Sequence, residues 1–172
     1  YYILNFAEIS SNLARYDGVK YGFSKEGQTL LDDYVGTRGA GFGKEARRRI
    51  MLGAYVLSSG YYDAYYNKAN ALRRIITEDF HNAWKTVDFV LTPTTPAPAW
   101  KMGEKSSDPM AMYLADIFTI TPNLTGLPAM SIPSGTVSVE DKNLPVGVQL
   151  VGMHGQEENM FACAADFTRE ST

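Results

Sequence analysis

The stretch Pro109-Met-Ala-Met-Tyr-Leu-Ala-Asp-Ile-Phe-Thr-Ile120 opens a run, residues 109–139, in which Asp116 is the single charged side chain. Its first part is apolar on nearly every face, which predicts a buried helix with Asp108 as N-cap and the proline in the first turn. Pro122 is expected to end this helix. The stretch therefore predicts a buried helix that carries one carboxylate.

Asp116 needs a compensating group in such a helix. An ionised carboxylate taken out of water without a partner costs several kcal/mol, so it is paired, protonated or bound to a cationic ligand. A structural ion pair and a carboxylate held by backbone N–H groups are the alternatives to a ligand role. The isolated position of Asp116 makes it a candidate for binding a cation.

Three short apolar runs predict β-strands. Residues 129–132 and 146–151 are separated by a charged turn at residues 140–143, which favours antiparallel pairing. Residues 87–91 form a β-branched and aromatic run that is followed by prolines. Three strands are too few for a sheet that helices cover, so we expect further strands from sequence outside this chain.

Helical spacing of apolar residues predicts most of the remaining structure. The patterns cover residues 1–14, 44 to about 66, 68–84, and a last helix that begins near residue 157. Residues 16–43 carry seven glycines and predict a long surface connection with one helical turn near residues 29–34. The predicted fold class is α/β.

Composition limits the classes of function. The chain has 172 residues, of which 45% are hydrophobic and 20% charged, and it fits one ordinary globular domain. Its formal net charge of -3 provides no basic surface of the kind that binding a nucleic-acid backbone requires. No run approaches the roughly 20 apolar residues of a membrane span. Because the sequence begins at Tyr1 inside an apolar run, we expect it to be part of a longer chain.

The side chains that commonly carry hydrolytic chemistry lack suitable neighbours in this sequence. His81 and His154 lie beside no serine or cysteine motif, so we expect both to be structural or exposed. The hydroxyls of Ser58-Ser59-Gly60 are predicted to lie in mid-helix, bonded to a preceding carbonyl. Cys163, the one cysteine, suits a reducing cytoplasm and is expected to pack in the core. We therefore expect the catalytic groups to lie outside this chain.

Three consecutive arginines offer a counterpart to Asp116. Arg47, Arg48 and Arg49 are spaced about 100° apart on a helix, so they cannot share one direction. Ala46 and Leu52, three positions to either side of Arg49, and Gly53, four positions after it, are apolar or small, which predicts that Arg49 faces inward. The alternative is three arginines on a solvated helix start. A buried arginine and a buried aspartate together could clamp a zwitterion through its carboxylate and its ammonium group.

Four motifs are similar to those of a known family. In order along the chain they are Ser10-Ser-Asn-Leu-Ala-Arg-Tyr-Asp-Gly-Val-Lys-Tyr-Gly22, Gly41-Phe-Gly-Lys-Glu45 with Arg48-Arg-Ile50, Ser58-Ser-Gly-Tyr-Tyr-Asp-Ala-Tyr-Tyr66, and Pro122-Asn-Leu-Thr-Gly-Leu-Pro128. They closely resemble the amidase-signature family, and within it the glutamine-hydrolysing A subunits of tRNA-dependent amidotransferases. The resemblance covers essentially the whole chain.

The resemblance implies a fold, a reaction and a set of partners. The fold is a mixed β-sheet covered by helices on both faces, of which residues 1–172 are the C-terminal portion of a single amidase domain. The reaction is hydrolysis of glutamine to ammonia, which passes to a partner subunit for amidation of a misacylated tRNA. The expected assembly is a cytoplasmic heterotrimeric ligase with B and C subunits. ATP and magnesium are used by the partner subunit, and this chain binds no cofactor or metal.

The resemblance also assigns site residues. The family's catalytic lysine and two serines correspond to sequence before Tyr1, so this piece alone is expected to be inactive. Arg49 matches the residue for the glutamine α-carboxylate, Asp116 matches the residue for the α-amino group, and Tyr1 falls where a pocket tyrosine is expected. Two alternatives are a stand-alone amidase of the same superfamily acting on another small amide, and a non-catalytic interaction module.

Overall fold

A computed structural model describes residues 1–104 and 109–170. It has seven α-helices, one π-helix and three strands among those residues: α1 Tyr2–Leu13, α2 Leu30–Gly41, α3 Lys44–Val56, the π-helix Tyr62–Asn67, α4 Lys68–Ala83, β1 Val90–Pro93, α5 Pro109–Ala115, α6 Ile120–Thr125, β2 Ala129–Val139, β3 Lys142–Val151 and α7 Glu157–Glu170. The chain divides into two compact units, Tyr1–Leu72 and Arg73–Thr172. In the described ranges, no helix combines the length and the apolar character needed to cross a membrane.

The first unit is built on the pairing of α1 with α3. Leu4 and Ala7 of α1 and Val56 of α3 are buried between them. Gly53 is buried in the same interface, and a Cβ atom placed on it would collide with the carbonyl group of Phe6. The two helices therefore approach closely because this position carries no side chain.

The structure corrects the predicted loop at residues 16–43, because α2 occupies Leu30–Gly41. The helix begins with a capping box in which Thr29 Oγ1 accepts from the Asp32 amide at 3.2 Å and the Thr29 amide donates to Asp32 Oδ2 at 3.1 Å. Arg38 Nη1 donates to the carbonyl oxygens of Leu13 and Tyr16, each at 3.1 Å. These bonds hold the segment helical despite its glycines.

The predicted helix over residues 44–66 is also too long. Helix α3 ends at Val56, a turn follows, and the π-helix begins at Tyr62. Gly60 has a φ of 86°, a left-handed value that interrupts the helix. The Ser58–Gly60 motif consequently lies in a turn and not in mid-helix, although Ser58 Oγ does donate to the Tyr55 carbonyl at 2.7 Å.

The second unit contains a three-stranded antiparallel sheet in the order β1-β3-β2. The hairpin between β2 and β3 turns at Glu140 and Asp141, whose φ angles of 48° and 61° match a two-residue type I′ turn. The predicted antiparallel pairing is confirmed. Both strands extend further than the apolar runs predicted, because the distal part of the hairpin is an exposed ribbon with polar residues.

Helix α7 covers one face of this sheet. Met160 and Ala164 pack with Ile132 of β2 and Leu150 of β3, and all four are buried. Cys163 lies on the exposed side of α7, so its predicted core position is wrong. The reason is helical geometry, since Met160 and Ala164 define the packed face and Cys163 is rotated about 100° from Ala164.

The predicted single helix from residue 109 to Pro122 is two helices in the structure. Helix α5 ends at Ala115, residues 116–119 form a turn, and α6 begins at Ile120. Pro122 lies in the first turn of α6, where its missing N–H removes no helical bond. The predicted N-cap, Asp108, lies outside the described residues.

Candidate functional site

Arg49 projects from α3 toward α1. Its Nε lies 2.8 Å from Glu45 Oε1, and its Nη1 donates to Asn5 Oδ1 of α1 at 3.3 Å. The Arg49 side chain is 30% exposed to solvent. Arg48 also pairs with Glu45, at 3.3 Å, and is 39% exposed. Arg49 is therefore half-buried at the helix interface, whereas the sequence predicted an arginine that faces inward. The shared Glu45 keeps both guanidinium groups near the surface.

Asp116 occupies the turn between α5 and α6. The prediction that it is buried is wrong for this structure, because its side chain is exposed and the neighbouring apolar residues Leu114 and Ile117 are 55% and 50% exposed. Within the described part of the chain, its carboxylate forms no hydrogen bond or ion pair. The carboxylate is thus accessible to a cation from solution.

The backbone around Asp116 is well ordered by hydrogen bonds. Its carbonyl oxygen accepts from the Thr119 amide at 3.0 Å, from the Ile120 amide at 2.9 Å and from Thr119 Oγ1 at 3.1 Å. These bonds close the turn on Asp116 and start α6. The position of the carboxylate is consequently set by the turn and not by burial of the side chain.

Tyr1 precedes α1 and is 37% exposed. Its ring meets the edge of the Tyr2 ring, with centroids 5.1 Å apart. Tyr1 and Arg49 both belong to the first unit, while Asp116 belongs to the second. The role of Tyr1 in a substrate pocket stays a prediction.

A polar row on the second unit's sheet was not anticipated from the sequence. In the register of the strands, Gln149 of β3 lies between Thr92 of β1 and Ser131 of β2. Gln149 is 5% exposed, and its Nε2 donates to Thr92 Oγ1 and to the Phe118 carbonyl, each at 3.1 Å. The one available signal was a glutamine inside the apolar run of residues 146–151.

A cleft of about 410 Å³ opens beside this row. Among the residues that line it, Thr94 Oγ1 and Ser131 Oγ lie 3.0 Å apart, and Asn123 Nδ2 donates to the Thr119 carbonyl at 2.7 Å. These groups are neutral hydroxyls and carboxamides, which can hydrogen-bond an amide or water but cannot act as strong bases. The polar groups of the cleft are therefore suited to binding a polar molecule and not to catalysing proton transfer.

Neither histidine contributes to a catalytic arrangement in the described part of the chain. His81 is 50% exposed with Nδ1 at 3.8 Å from Glu78, and His154 is exposed. Both match the predicted structural or exposed positions. Among residues 1–104 and 109–170, no group of three or more His, Cys, Asp or Glu side chains has the arrangement of a metal site.

Comparison with known proteins gives strong similarity in sequence. The chain is 57% identical over 164 residues to the A subunit of the glutamyl-tRNA(Gln) amidotransferase of Pelagibacter ubique (strain HTCC1062), covering 95% of this chain and 33% of that protein. It is 54% identical over 172 residues to the protein of the same name from Syntrophus aciditrophicus (strain SB), covering 99% and 35%. The chain thus spans about a third of the length of these relatives.

Solved structures show the same fold at lower sequence identity. The 6-aminohexanoate cyclic dimer hydrolase superposes with a TM-score of 0.64 at 16% identity, over 96% of this chain and 33% of that one. Kluyveromyces lactis allophanate hydrolase gives a TM-score of 0.63 at 19% identity, over 99% and 25%. The α/β fold predicted from the sequence is confirmed. Because the family model for amidases matches residues 1–161, the chain belongs to the amidase family.

Proposed function

We propose that this sequence is part of the glutamine-hydrolysing subunit of a glutamyl-tRNA(Gln) amidotransferase. The observation that carries the proposal is the 57% identity, over 95% of the chain, to a protein named as the A subunit of that enzyme. In this function glutamine and water yield glutamate and ammonia. The ammonia then replaces the activated side-chain oxygen of glutamate on a misacylated tRNA(Gln).

In this function the chain supplies groups that bind the substrate. Free glutamine carries a carboxylate and an ammonium group on one carbon, so one cationic and one anionic side chain together can recognise it. Arg49 supplies a half-exposed guanidinium, which can bind a carboxylate through two parallel hydrogen bonds. Asp116 supplies an exposed carboxylate for the ammonium group. Tyr1 adds an aromatic ring that can pack against the substrate.

The remaining chemistry is assigned to groups outside this chain. The lysine and two serines that the family resemblance implies would form the acyl-enzyme and release ammonia. B and C subunits would complete a cytoplasmic heterotrimer, and ATP with magnesium would activate the tRNA-bound glutamate on a partner subunit. The formal net charge of -3 agrees with this division, because binding of a tRNA backbone relies on an excess of positive charge.

The test uses the full-length protein in complex with its partners. We expect ammonia release from glutamine to exceed release from asparagine and from simple aliphatic amides, and we expect that ammonia to appear in Gln-tRNA(Gln) when ATP and Glu-tRNA(Gln) are present. Equal hydrolysis of all these amides, without transfer to tRNA, would identify a stand-alone amidase instead.

A further inference from the structure

Gln149 is a buried carboxamide in β3, the middle strand of the sheet. Its neighbours Val148 and Leu150 pack with the core beneath α7, so Gln149 points to the opposite face. Its Nε2 donates to Thr92 Oγ1 and to the carbonyl oxygen of Phe118, each at 3.1 Å. Since a carbonyl oxygen can only accept, the atom facing Phe118 must be the amide nitrogen. Both N–H groups of Gln149 are therefore in use.

The bond to Phe118 connects the sheet with the turn that carries Asp116. Phe118 lies two residues after Asp116, and the Asp116 carbonyl closes the turn by accepting from the Thr119 and Ile120 amides. Helices α5 and α6 on either side are only seven and six residues long. The turn is thus held by the hydrogen bonds to the Asp116 carbonyl, and the hydrogen bond from Gln149 to the Phe118 carbonyl joins it to the sheet.

Asp116 follows the movements of this turn, because its carboxylate makes no hydrogen bond or ion pair of its own in the described part of the chain and only the backbone, with the buried Ala115 on one side and the Phe118 bond on the other, sets its place. The carboxylate is exposed, and the adjacent Ile117 is 50% exposed. A shift of the turn would move the carboxylate directly. A displacement of about 1 Å in a contact to substrate is enough to lower activity substantially.

We propose that Gln149 is a positioning residue that sets the place of the Asp116 carboxylate and thereby the selectivity of the site for an amide bearing an α-ammonium group. The inference rests on the proposed function, in which Asp116 binds that ammonium. Gln149 itself touches no substrate. It acts by holding the Phe118 carbonyl, and through it the turn, against the middle strand.

The test compares glutamine with glutaramate, which is glutamine without the ammonium group, in the full-length protein in complex with its partners. Gln149→Met has a similar length and no N–H donor. We expect it to lower kcat/KM for glutamine roughly tenfold while leaving kcat/KM for glutaramate nearly unchanged. Thr92→Val is the matched control, because it removes the other acceptor of Gln149 but leaves the bond to Phe118 in place. It should preserve the ratio of the two substrates.

An equal loss for both substrates in Gln149→Met would overturn the proposal and make Gln149 a residue of general stability. If that variant does not fold, Gln149→Asn serves instead, since it keeps a carboxamide in β3 but is one methylene shorter and withdraws its N–H from the Phe118 carbonyl. An unchanged glutamine-to-glutaramate ratio in Gln149→Asn would then contradict the proposal.

Asp116→Asn separates this inference from the function on which it rests. If Asp116→Asn abolishes the preference for glutamine and Gln149→Met does not alter it, the ammonium site is right and the positioning role is wrong. If Asp116→Asn leaves the preference for glutamine over glutaramate intact, Asp116 does not bind the ammonium group. The positioning role proposed for Gln149 is then wrong as well.

Discussion

Arg49 of α3 donates a hydrogen bond from Nη1 to Oδ1 of Asn5 in α1, with the two atoms 3.3 Å apart. The bond crosses the interface in which Gly53, one helical turn after Arg49, allows the two helices to approach. A neutral carboxamide at this place orients the guanidinium without adding a negative charge to that of Glu45, at 2.8 Å. The interface therefore helps to place a cation that stays half-exposed.

Replacing Asn5 by aspartate should weaken glutamine binding. Asn5→Asp places a second carboxylate beside Arg49, where it competes with the substrate carboxylate for the guanidinium. We expect KM for glutamine in the full-length complex to rise roughly tenfold, equivalent to about 1.4 kcal/mol, with little change in kcat. Asn12→Asp is the control, because it makes the same charge change at an exposed position of α1. An equal rise of KM in both variants would show that the change in net charge, and not competition for the Arg49 guanidinium, weakens glutamine binding.

The close contact at Gly53 should be sensitive to one methyl group. Gly53→Ala would drive a Cβ into the Phe6 carbonyl and separate α1 from α3. We expect it to lower the free energy of unfolding of the full-length protein by about 1 to 3 kcal/mol, measured by chemical denaturation. Gly39→Ala is the matched control, since a Cβ at Gly39 of α2 meets nothing within 4 Å. The free energy of unfolding of Gly39→Ala should rise by about 0.4 to 1 kcal/mol. A decrease of similar size in both variants would contradict the packing argument.

Several features followed from local sequence patterns. The hairpin of β2 and β3 was predictable because apolar strands flank a charged turn, and α4 and α7 were predictable from helical spacing. Helix α2 was not, because its glycines predict a loop and the bonds that outweigh them come from Thr29 and from Arg38. A capping residue is visible in a sequence, but the carbonyl groups that Arg38 reaches are not.

For the candidate site, too, the sequence predicted some features and not others. The isolated charge of Asp116 and the small residues beside Arg49 were visible as patterns. The structure places Asp116 in the turn before α6 and Arg49 at the interface of α1 and α3. Their degree of burial was not visible, because it depends on which surfaces cover them. Gln149 was missed because a polar residue in an apolar strand can be buried or exposed, and the carbonyl of Phe118 that receives its hydrogen bond is 31 positions away in sequence.

The tyrosines around the turn after α3 predict a pH effect. The Tyr61 ring lies 4.3 Å from the Tyr55 ring, and a hydrogen bond with Tyr61 is the largest cause that raises the pKa of Tyr55 to about 12 from 10.0. Since the folded state disfavours the phenolate, this contribution to stability is complete below pH 10.0 and is lost as the pH rises toward about 12. NMR titration of ¹³C-labelled tyrosine should show this high midpoint. Tyr61→Phe should lower it toward 10.0, and an unchanged midpoint would exclude Tyr61 as the cause.

Residues 1–172 by themselves should release no ammonia from glutamine. The described residues include the proposed binding groups but no nucleophile paired with a base, and hydrolysis of an amide requires both. The measurement is an ammonia assay on the purified chain at high protein concentration, with the full-length complex as positive control. Turnover that persists after further purification would show that the catalytic centre has been misplaced.

The proposed binding of glutamine by Arg49 and Asp116 makes the sharpest prediction for the intact complex. Arg49→Ala or Asp116→Ala removes a charge-assisted contact to glutamine, which should reduce kcat/KM by on the order of 2 to 4 kcal/mol, or roughly 30- to 1000-fold. Arg49→Lys should recover only part of this loss, because an ammonium group cannot reproduce a planar two-point contact. Arg47→Ala, at an exposed position of the same helix, should have little effect.

Free ammonia provides the internal control for this prediction, because it reaches the amidation step without occupying the glutamine pocket. Amidation of Glu-tRNA(Gln) driven by ammonium chloride should therefore survive all three substitutions at Arg49 and Asp116. A structural role gives a different pattern, since loss of folding stability would depress the glutamine-driven and ammonia-driven reactions together. Parallel loss of both reactions, with a lower unfolding midpoint, would make Arg49 a helix-interface residue held by Glu45 and Asn5, and Asp116 a residue of the turn alone.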